Sequence, residues 1–410
     1  MPAIVCHHHW ASPGGGQLVC ASAAVALDST GLEPILTSVF RFNPELYMKW
    51  YGINICKYKS KALIPFEVKA FGLWSRLYAW YPAKLAIDRF NASLIFTDEE
   101  AYKPLVNYRG VKIVEYMHFP FEVAINTNRG MGSVHEEDPY IVERYGRLFM
   151  RIYWNIFRKM LSHYLRENPF YDASLVLANS KWTADLVKVI YGERPVVLNP
   201  PIAPNTEVST STRPFEERRP YVVMLGRFSE EKRYHWVAQE LAPKLIREVP
   251  GSRIFIFGGV TTQTQQNYMN EVIKLARSAG LRVSSNIEAD ADIIIISNAQ
   301  RDIINKIMGS SRAFLHSTVN EHWGIAVAEA MARGLPAVVH KSGGTWTDLA
   351  EEGTAGLGYD DLDEAIDALA RLITDKETWN HYSSEGIKRV RELTLDSFTK
   401  KLDSLIRRIL

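Results

Sequence analysis

Residues 321–329, Glu-His-Trp-Gly-Ile-Ala-Val-Ala-Glu (EHWGIAVAE), run on into AMARGLPAVVHKSGG (330–344), and this stretch decides how the chain is built. It follows the strand-like AFLHS (313–317), opens a small-residue helix at Gly324, closes it at Gly334 just before Pro336, and resumes as the β-branched PAVVH (336–340). A glycine past the last turn with a proline behind it is the usual helix stop. Strand, helix and strand in succession are how a parallel α/β sheet looks in sequence.

Two carboxylates, Glu321 and Glu329, flank that glycine. If both were helical they would lie about 12 Å apart along the axis. Carboxylate pairs that work on one glycosidic bond sit ~5 to 9.5 Å apart. These two are better spaced to grip opposite ends of a long ligand. The amides around Trp323, Gly324 and Ile325, at a helix N-terminus, can donate to its hydroxyls or phosphate oxygens.

The same alternation extends over the whole chain. Strands are expected at AIVCH (3–7), PILTSVF (34–40), SLIFT (93–97), KIVEYMH (112–118), SLVLA (174–178) and PVVLN (195–199), then at YVVMLG (221–226), RIFIFGG (253–259), IIIIS (293–297), AFLHS and PAVVH. With helical patterns between them they make two doubly wound units. At 410 residues the chain is also too long for one ordinary core. The expected division is 1–200, a linker at 201–220 within the Pro/Ser/Thr-rich NPPIAPNTEVSTSTRPFEERRP (199–220), a second domain at 221–390, and a C-terminal helix at 391–410.

A formal net charge of +2 lacks the basic excess of a general nucleic-acid binder, so no nucleic-acid partner is expected. The spacing of Cys6, Cys20 and Cys56 suits neither a disulfide framework nor a zinc site, which fits a reduced, cytoplasmic setting. The N-terminus does not read as a signal peptide, and no uncharged apolar run approaches the ~18 residues of a membrane span. Any membrane contact is therefore expected to be peripheral. One segment invites it: YGRLFMRIYWNIFRKMLSHYL (145–165) is helical in pattern, aromatic, and carries Arg147, Arg151, Arg158 and Lys159. Such a helix lies on an anionic membrane at the inner face, or packs on a core with its cations in water. The aromatic FGLWSRLYAWYPAKL (71–85) supports the first reading, or a long apolar acceptor cleft.

Ligands of open α/β sheets bind beyond the carboxyl ends of the strands, so the loops there carry most of the chemistry. After the first strand, HHHWASPGGGQLV places Gly14, Gly15 and Gly16 at a helix start, where bare amides attract phosphate or make an ordinary tight turn. His7, His8 and His9 alternate faces on a strand and cannot all reach one metal ion without a bend, so no metal site is expected. His118 ends its strand at the sheet edge, where it is either structural or catalytic. Arg227 and Lys232 share a strand-to-helix loop and are spaced to bracket a diphosphate.

The block from Glu321 to Gly344 resembles the signature of glycosyltransferase family 4: E-x-F/W-G-x-x-x-x-E, a small-residue helix, G-x-P and a later Gly-Gly. Here those elements are Glu321, Trp323-Gly324, Glu329, Gly334-Leu335-Pro336 and Gly343-Gly344. The glycine loop, His118, Asn179-Ser180, Asn199-Pro200, Gly226-Arg227 and Lys232 stand in the family's order. Within the family, EYMHFP, ANSKWTADLV and STVNEHWGIAVAEAMARG look most like the branch that extends dolichol-linked glycans from GDP-mannose.

The resemblance implies a GT-B fold, two Rossmann-like domains facing across a cleft with the C-terminal helix at 391–410 crossing back to the first, and a hexosyltransferase that retains anomeric configuration. It implies that Glu329 holds the ribose hydroxyls, that Glu321 with the amides at 323–325 holds the donor sugar, and that His118 touches that sugar near the reacting carbon. Arg227 and Lys232, with Gly15 and Gly16, would neutralise the diphosphate. Neither a metal nor a separate cofactor is called for, since the nucleotide sugar is itself the substrate. The acceptor would be a lipid-linked glycan. Three alternatives stay open: a soluble UDP-glucose enzyme with a small carbohydrate acceptor, a sugar-nucleotide epimerase, and a silent nucleotide-sugar binder.

Overall fold

The computed structural model describes residues 1–67, 72–120, 148–206, 208 and 213–410. Among them, apolar β-branched runs pair into two parallel seven-stranded sheets. The first contains β1 (Pro2–Cys6), β2 (Glu33–Phe40), β3 (Lys59–Ile64), β4 (Leu94–Thr97), β5 (Lys112–Met117), β6 (Leu175–Ala178) and β7 (Val196–Val197), in the order β3-β2-β1-β4-β5-β6-β7. The second contains β8 (Arg219–Leu225), β9 (Arg253–Gly258), β10 (Val283–Ser284), β11 (Ile293–Ser297), β12 (Ser311–His316), β13 (Ala337–His340) and β14 (Leu357–Tyr359), in the order β10-β11-β9-β8-β12-β13-β14.

Each sheet is wound in both directions from its first strand, with β1 between β2 and β4, and β8 between β9 and β12. The loops at β1/β4 and β8/β12 therefore diverge to opposite faces and leave a crevice at the strand ends, which is where doubly wound folds bind ligands. The principal helices are α1 (Gly15–Ser29), α2 (Leu46–Tyr51), α3 (Gly72–Leu77), α4 (Trp80–Phe90), α5 (Leu148–Tyr164), α6 (Lys181–Tyr191), α7 (Gln263–Ser278), α8 (Arg301–Ser310), α9 (Ile325–Ala332), α10 (Leu362–Thr374), α11 (Lys376–Arg391) and α12 (Leu395–Arg407).

Three strands were not expected. β3, with the sequence KSKALI, is an edge strand whose residues are largely exposed and include two lysines, the usual means of blunting a sheet edge. β10 and β14 span two and three residues and carry too little pattern to be read. In the other direction, the expected strand at 195–199 shrinks to Val196–Val197.

The chain divides into one unit of Met1–Thr206 with Leu393–Leu410 and another of Glu207–Glu392. Helix α12 thus completes the first unit: Phe398, Leu402 and Ile406, spaced four apart, are buried in one cluster with Leu18, Val19, Ala23 and Leu27 of α1. The stretch read as a linker is packed at both ends. Ile202 and Ala203 are buried in the first unit, and Phe215 in the second. Arg218, only 2 % exposed, donates to the carbonyls of Arg213, Met308, Ser311 and Arg333, which draws this approach to β8 into the second unit. Residues 207 and 209–212 of that stretch lie outside the described residues, as do Phe71 and Arg147 of the aromatic and basic segments.

The aromatic segments pack mainly on each other. Phe157, Leu161 and Leu165 are buried with Leu77, and Trp74 of α3 meets Phe157 and Tyr153 edge-on. The outer face of α5 exposes Arg151, Ile152, Asn155, Ile156 and Lys159. No described helix is long and apolar enough to cross a membrane.

If α12 is part of the first unit's core, Leu402→Ala should lower its unfolding free energy by about 2–5 kcal/mol. Lys400→Ala, on the exposed face of the same helix, should change it by less than about 0.5 kcal/mol. Urea unfolding midpoints of the two variants check this, and equal midpoints would contradict the assignment.

Candidate active site

In the second unit the site is built where β8 and β12 end. After Leu225 the chain turns at Gly226, whose amide donates to Phe257 O (3.1 Å). A β-carbon at Gly226 would lie 2.8 Å from the Tyr234 hydroxyl. Phe228 is fully buried, with its ring against Gly258, where a β-carbon would lie 2.4 Å from it. Because Phe228 turns inward, its neighbour Arg227 turns out, with its guanidinium 3.0 Å from Glu231 and its side chain 64 % exposed. Lys232, at the end of a short 3-10 turn (Glu230–Lys232), turns the other way, and its Nζ lies 2.6 Å from Glu321 Oε2. The structure thus brings Lys232 to Glu321 and holds Arg227 apart from both.

The Glu321 loop is gripped from the β13 side. Gly344 N–H donates to Glu321 O (2.7 Å) and Asn320 N–H to Ser342 Oγ (2.8 Å). A β-carbon at Gly343, where φ is +75°, would come within 2.2 Å of Glu321 O, so this approach needs glycine. Gly324 has φ +92°, and a β-carbon there would lie 2.4 Å from Thr345 Cγ2. The glycines of the signature therefore hold Glu321 in place. With Trp323 buried behind it, the loop delivers Ile325 as the first residue of α9.

Glu321 Oε2 also accepts from buried His316 Nε2 (3.0 Å). Burial keeps the His316 imidazole below its ordinary value and hence neutral, so Nε2–H is the donor. For Glu321 itself, burial opposes ionisation, but the Lys232 ammonium and the His316 hydrogen bond outweigh it and hold the carboxyl well below the ordinary 4.5. Glu329, one turn into α9, pairs instead with Arg301 Nη2 at 2.5 Å. Each carboxylate of the signature has its own cation.

The first unit's half of the candidate residues lies at the ends of β1, β4 and β5. His7 Nδ1 donates to Asp98 (2.8 Å) and His118 Nε2 to Asp98 Oδ2 (3.2 Å), so one carboxylate is held by two imidazoles. Burial would raise Asp98, but His7 and His118 hold it below the usual carboxylate range; burial likewise opposes charge on His7, and Asp98 outweighs it and raises that imidazole. Gly16, in the first turn of α1, lies directly over this group: a β-carbon there would meet Asp98 Oδ2 at 3.0 Å and His7 Cε1 at 3.1 Å. The glycine loop is fixed by Tyr51, whose hydroxyl bonds both the amide (2.6 Å) and the carbonyl (2.9 Å) of Gly14.

The three consecutive histidines do more than the strand pattern predicted. The strand ends at Cys6 and the chain bends, so that His7 reaches Asp98 while His8 reaches Glu99, which also pairs with Arg76 Nε of α3 (2.9 Å). His7, Cys20 and Asp98, and separately His7, His8 and Glu99, bring metal-ligand atoms within 4.8 Å of one another. The His7 imidazole, raised by Asp98, faces that carboxylate, and the Arg76 guanidinium faces Glu99.

Asp98, Glu99, His316 and Arg301 were missed in the sequence. All four lie at or just beyond the ends of segments read as strands: DEE after SLIFT, His316 within AFLHS, and NAQR after IIIIS. Reading every such loop would have found them.

Residues 207–389 match the family model of glycosyl transferases group 1, which places that domain in the second unit and bears out the resemblance carried by the Glu321 block. A Candida glabrata protein named GDP-Man:Man(3)GlcNAc(2)-PP-Dol alpha-1,2-mannosyltransferase is 25% identical over 251 residues, 60% of this chain and 46% of its own. A Dictyostelium discoideum protein of the same name is 22% identical over 333 residues, 73% of this chain and 63% of its own. The chain thus spans about half the length of the curated relatives it matches. Sucrose-phosphate synthase from Thermosynechococcus elongatus superposes over 100% of this chain and 98% of its own with a TM-score of 0.70 at 13% identity, which supports the GT-B fold.

The folded-state value of Glu321 lies below 4.5, so as pH falls through that region the unfolded chain takes up this proton first. The stability it contributes is complete above about pH 4.5 and is lost below. The stability advantage of wild type over Glu321→Gln, from urea unfolding at about pH 7 and about pH 3.5, should therefore narrow at the lower pH. A constant difference would remove the ion pair from the account.

Proposed function

We propose that this chain, with a group 1 glycosyltransferase domain in its second unit, is a retaining hexosyltransferase that moves mannose from GDP-mannose to a lipid-linked glycan. The observation that carries the reading is the largely shielded Lys232–Glu321–His316 group at the β8/β12 switch point, beside a glutamate on the following helix. The relatives' names state a GDP-mannose donor and an alpha linkage for those proteins. Their similarity to this chain supports the same donor here.

In this reading the Lys232 ammonium and the first-turn amides of α9 face the diphosphate, Glu321 receives hydroxyls of the donor sugar, and Glu329 receives those of the ribose. As the bond from the anomeric carbon to the diphosphate oxygen breaks, negative charge grows on the leaving group. Fixed cations and amides stabilise that charge more in the transition state than in the ground state. The acceptor hydroxyl oxygen forms its bond on the face the diphosphate leaves, and its proton passes to the departing phosphate oxygen, which retains configuration. In the first unit, His118 has its Nε2–H committed to Asp98. This fixes the ring to offer Nδ1 as an acceptor to a sugar hydroxyl. Arg227, with its exposed side chain, and the Gly15 and Gly16 amides are assigned to the diphosphate.

A lipid-linked acceptor requires the enzyme to work at a membrane, and the reading places it at the cytoplasmic face. The outer face of α5, where Ile152 and Ile156 stand beside Arg151 and Lys159, has the chemistry for an anionic bilayer surface.

Thermal-shift titration with GDP-mannose, UDP-glucose and ADP-glucose tests the donor. At about one hundred times Kd a true donor adds about 2.7 kcal/mol of stability. GDP-mannose should give the largest shift, Glu329→Ala should reduce it, and Lys232→Ala should chiefly lower kcat, on the order of a hundredfold or more. A larger shift with UDP-glucose would favour the alternative with a small acceptor, and no shift with any of the three would end the reading.

The acceptor side is tested by flotation with liposomes containing an anionic phospholipid at low salt. Wild type should float, and Ile152→Glu with Ile156→Glu should sink. A wild-type protein indifferent to lipid would remove the membrane contact.

A further inference from the structure

Arg301 was not assigned a role by the signature, yet it is delivered to the site by a built loop. Beyond β11, Asn298 takes a left-handed backbone (φ +52°). Its side-chain amide pairs with the backbone of Val260 in both directions: Val260 N–H donates to Oδ1 (3.0 Å) and Nδ2 donates to Val260 O (2.9 Å). An amide used in this way replaces a rung of strand pairing past the point where β9 and β11 stop. It fixes where Ala299 and Gln300 lead and makes Arg301 the first residue of α8. From there the guanidinium reaches Glu329 on α9, with Nη2 2.5 Å from Oε2.

The two ends of this pair differ in setting. The Glu329 side chain is 14 % exposed and that of Arg301 46 %. Glu329 gains no second cation among the described residues, because Arg333 Nη1 donates to its backbone carbonyl (2.8 Å) and not to its carboxylate. A half-exposed arginine on an isolated carboxylate contributes little to fold stability. What it does is orient the carboxylate. An ionised carboxylate has about four lone-pair positions. Arg301 occupies one on Oε2 and leaves the others, including both on Oε1, for the two neighbouring hydroxyls of a ribose. Arg301 also neutralises Glu329. Without that, a nucleoside diphosphate, itself anionic, would meet an unpaired carboxylate.

We propose that Arg301 is a positioning residue for the nucleotide's ribose: its ion pair orients and neutralises Glu329, and so sets the preference of the site for a 2′-hydroxyl. This inference rests on the reading that Glu329 receives the ribose, and the experiment separates the two.

Isothermal titration of wild type, Arg301→Ala, Arg301→Lys and Glu329→Ala with GDP and with 2′-deoxy-GDP, and with UDP and 2′-deoxy-UDP, gives a ribose-to-deoxyribose affinity ratio for each. A hydrogen bond to a charged group makes the wild-type ratio on the order of tenfold or more. The expected result is that Glu329→Ala brings the ratio close to one and Arg301→Ala lowers it at least about threefold, mainly by weakening the ribonucleotide. Arg301→Lys, a point charge in place of the fork, should fall between wild type and Arg301→Ala. If Glu329→Ala collapses the ratio but Arg301→Ala leaves it at the wild-type value, or weakens ribo- and deoxynucleotide equally, the role of Arg301 is overturned while the ribose reading stands. A wild-type protein that does not discriminate, or does not bind either nucleotide pair, overturns the ribose reading and the role of Arg301 with it. Circular dichroism of each variant confirms that a lost ratio does not come from a lost fold.

Discussion

The second unit turns on one ion pair, Lys232 with Glu321, made across the two strands at which the sheet reverses direction. Both partners are about four-fifths or more shielded from water. Neither charge would be tolerated there alone, since removing one partner of a buried pair leaves the other uncompensated. The surrounding features follow from that demand. Gly343 and Gly344 let the β13 loop approach close enough to hold the Glu321 backbone, Gly324 lets the helix start beneath Thr345, and His316 supplies a second donor. Ser317, next in the chain, bonds the Lys232 carbonyl. Residues that read in the sequence as a motif are in space a single clamp on one carboxylate.

The first unit repeats this with different chemistry. Its sheet also reverses beside its first strand, and again a carboxylate sits at the reversal, here Asp98, with histidines in place of lysine. Gly16 in the first unit plays the part that Gly343 plays in the second, removing a side chain where a helix start or loop must touch the charged group. The two units share a placement rule and almost no sequence. This fits an architecture in which the sheet's topology, and not its side chains, determines where polar groups can be held.

Much of this was legible in the sequence, and the limits have physical causes. Eleven strands could be read because parallel strands buried on both faces are continuous apolar runs. The three that escaped are an edge strand with lysines and two of only two or three residues. The pairing of Lys232 with Glu321, 89 residues apart, could not be read, because it depends on strand order and a sequence does not state which strands are neighbours. The divergence of Arg227 from Lys232 depends on one buried ring, Phe228, whose inward turn is a packing outcome. The bend after Cys6 that lets His7 and His8 face Asp98 and Glu99 is also tertiary in origin, since the local pattern alone continues the strand.

Helix α12 gives the order of assembly a particular form. Its three buried residues lie at 398, 402 and 406, whereas the helix they cover begins at residue 15. A chain made from its N-terminus by the ribosome must therefore carry the first sheet with an uncovered apolar flank through the whole synthesis of the second unit, whose residues are contiguous and can close without waiting. The second unit is able to mature before the first, whose α1 face stays uncovered until α12 is made.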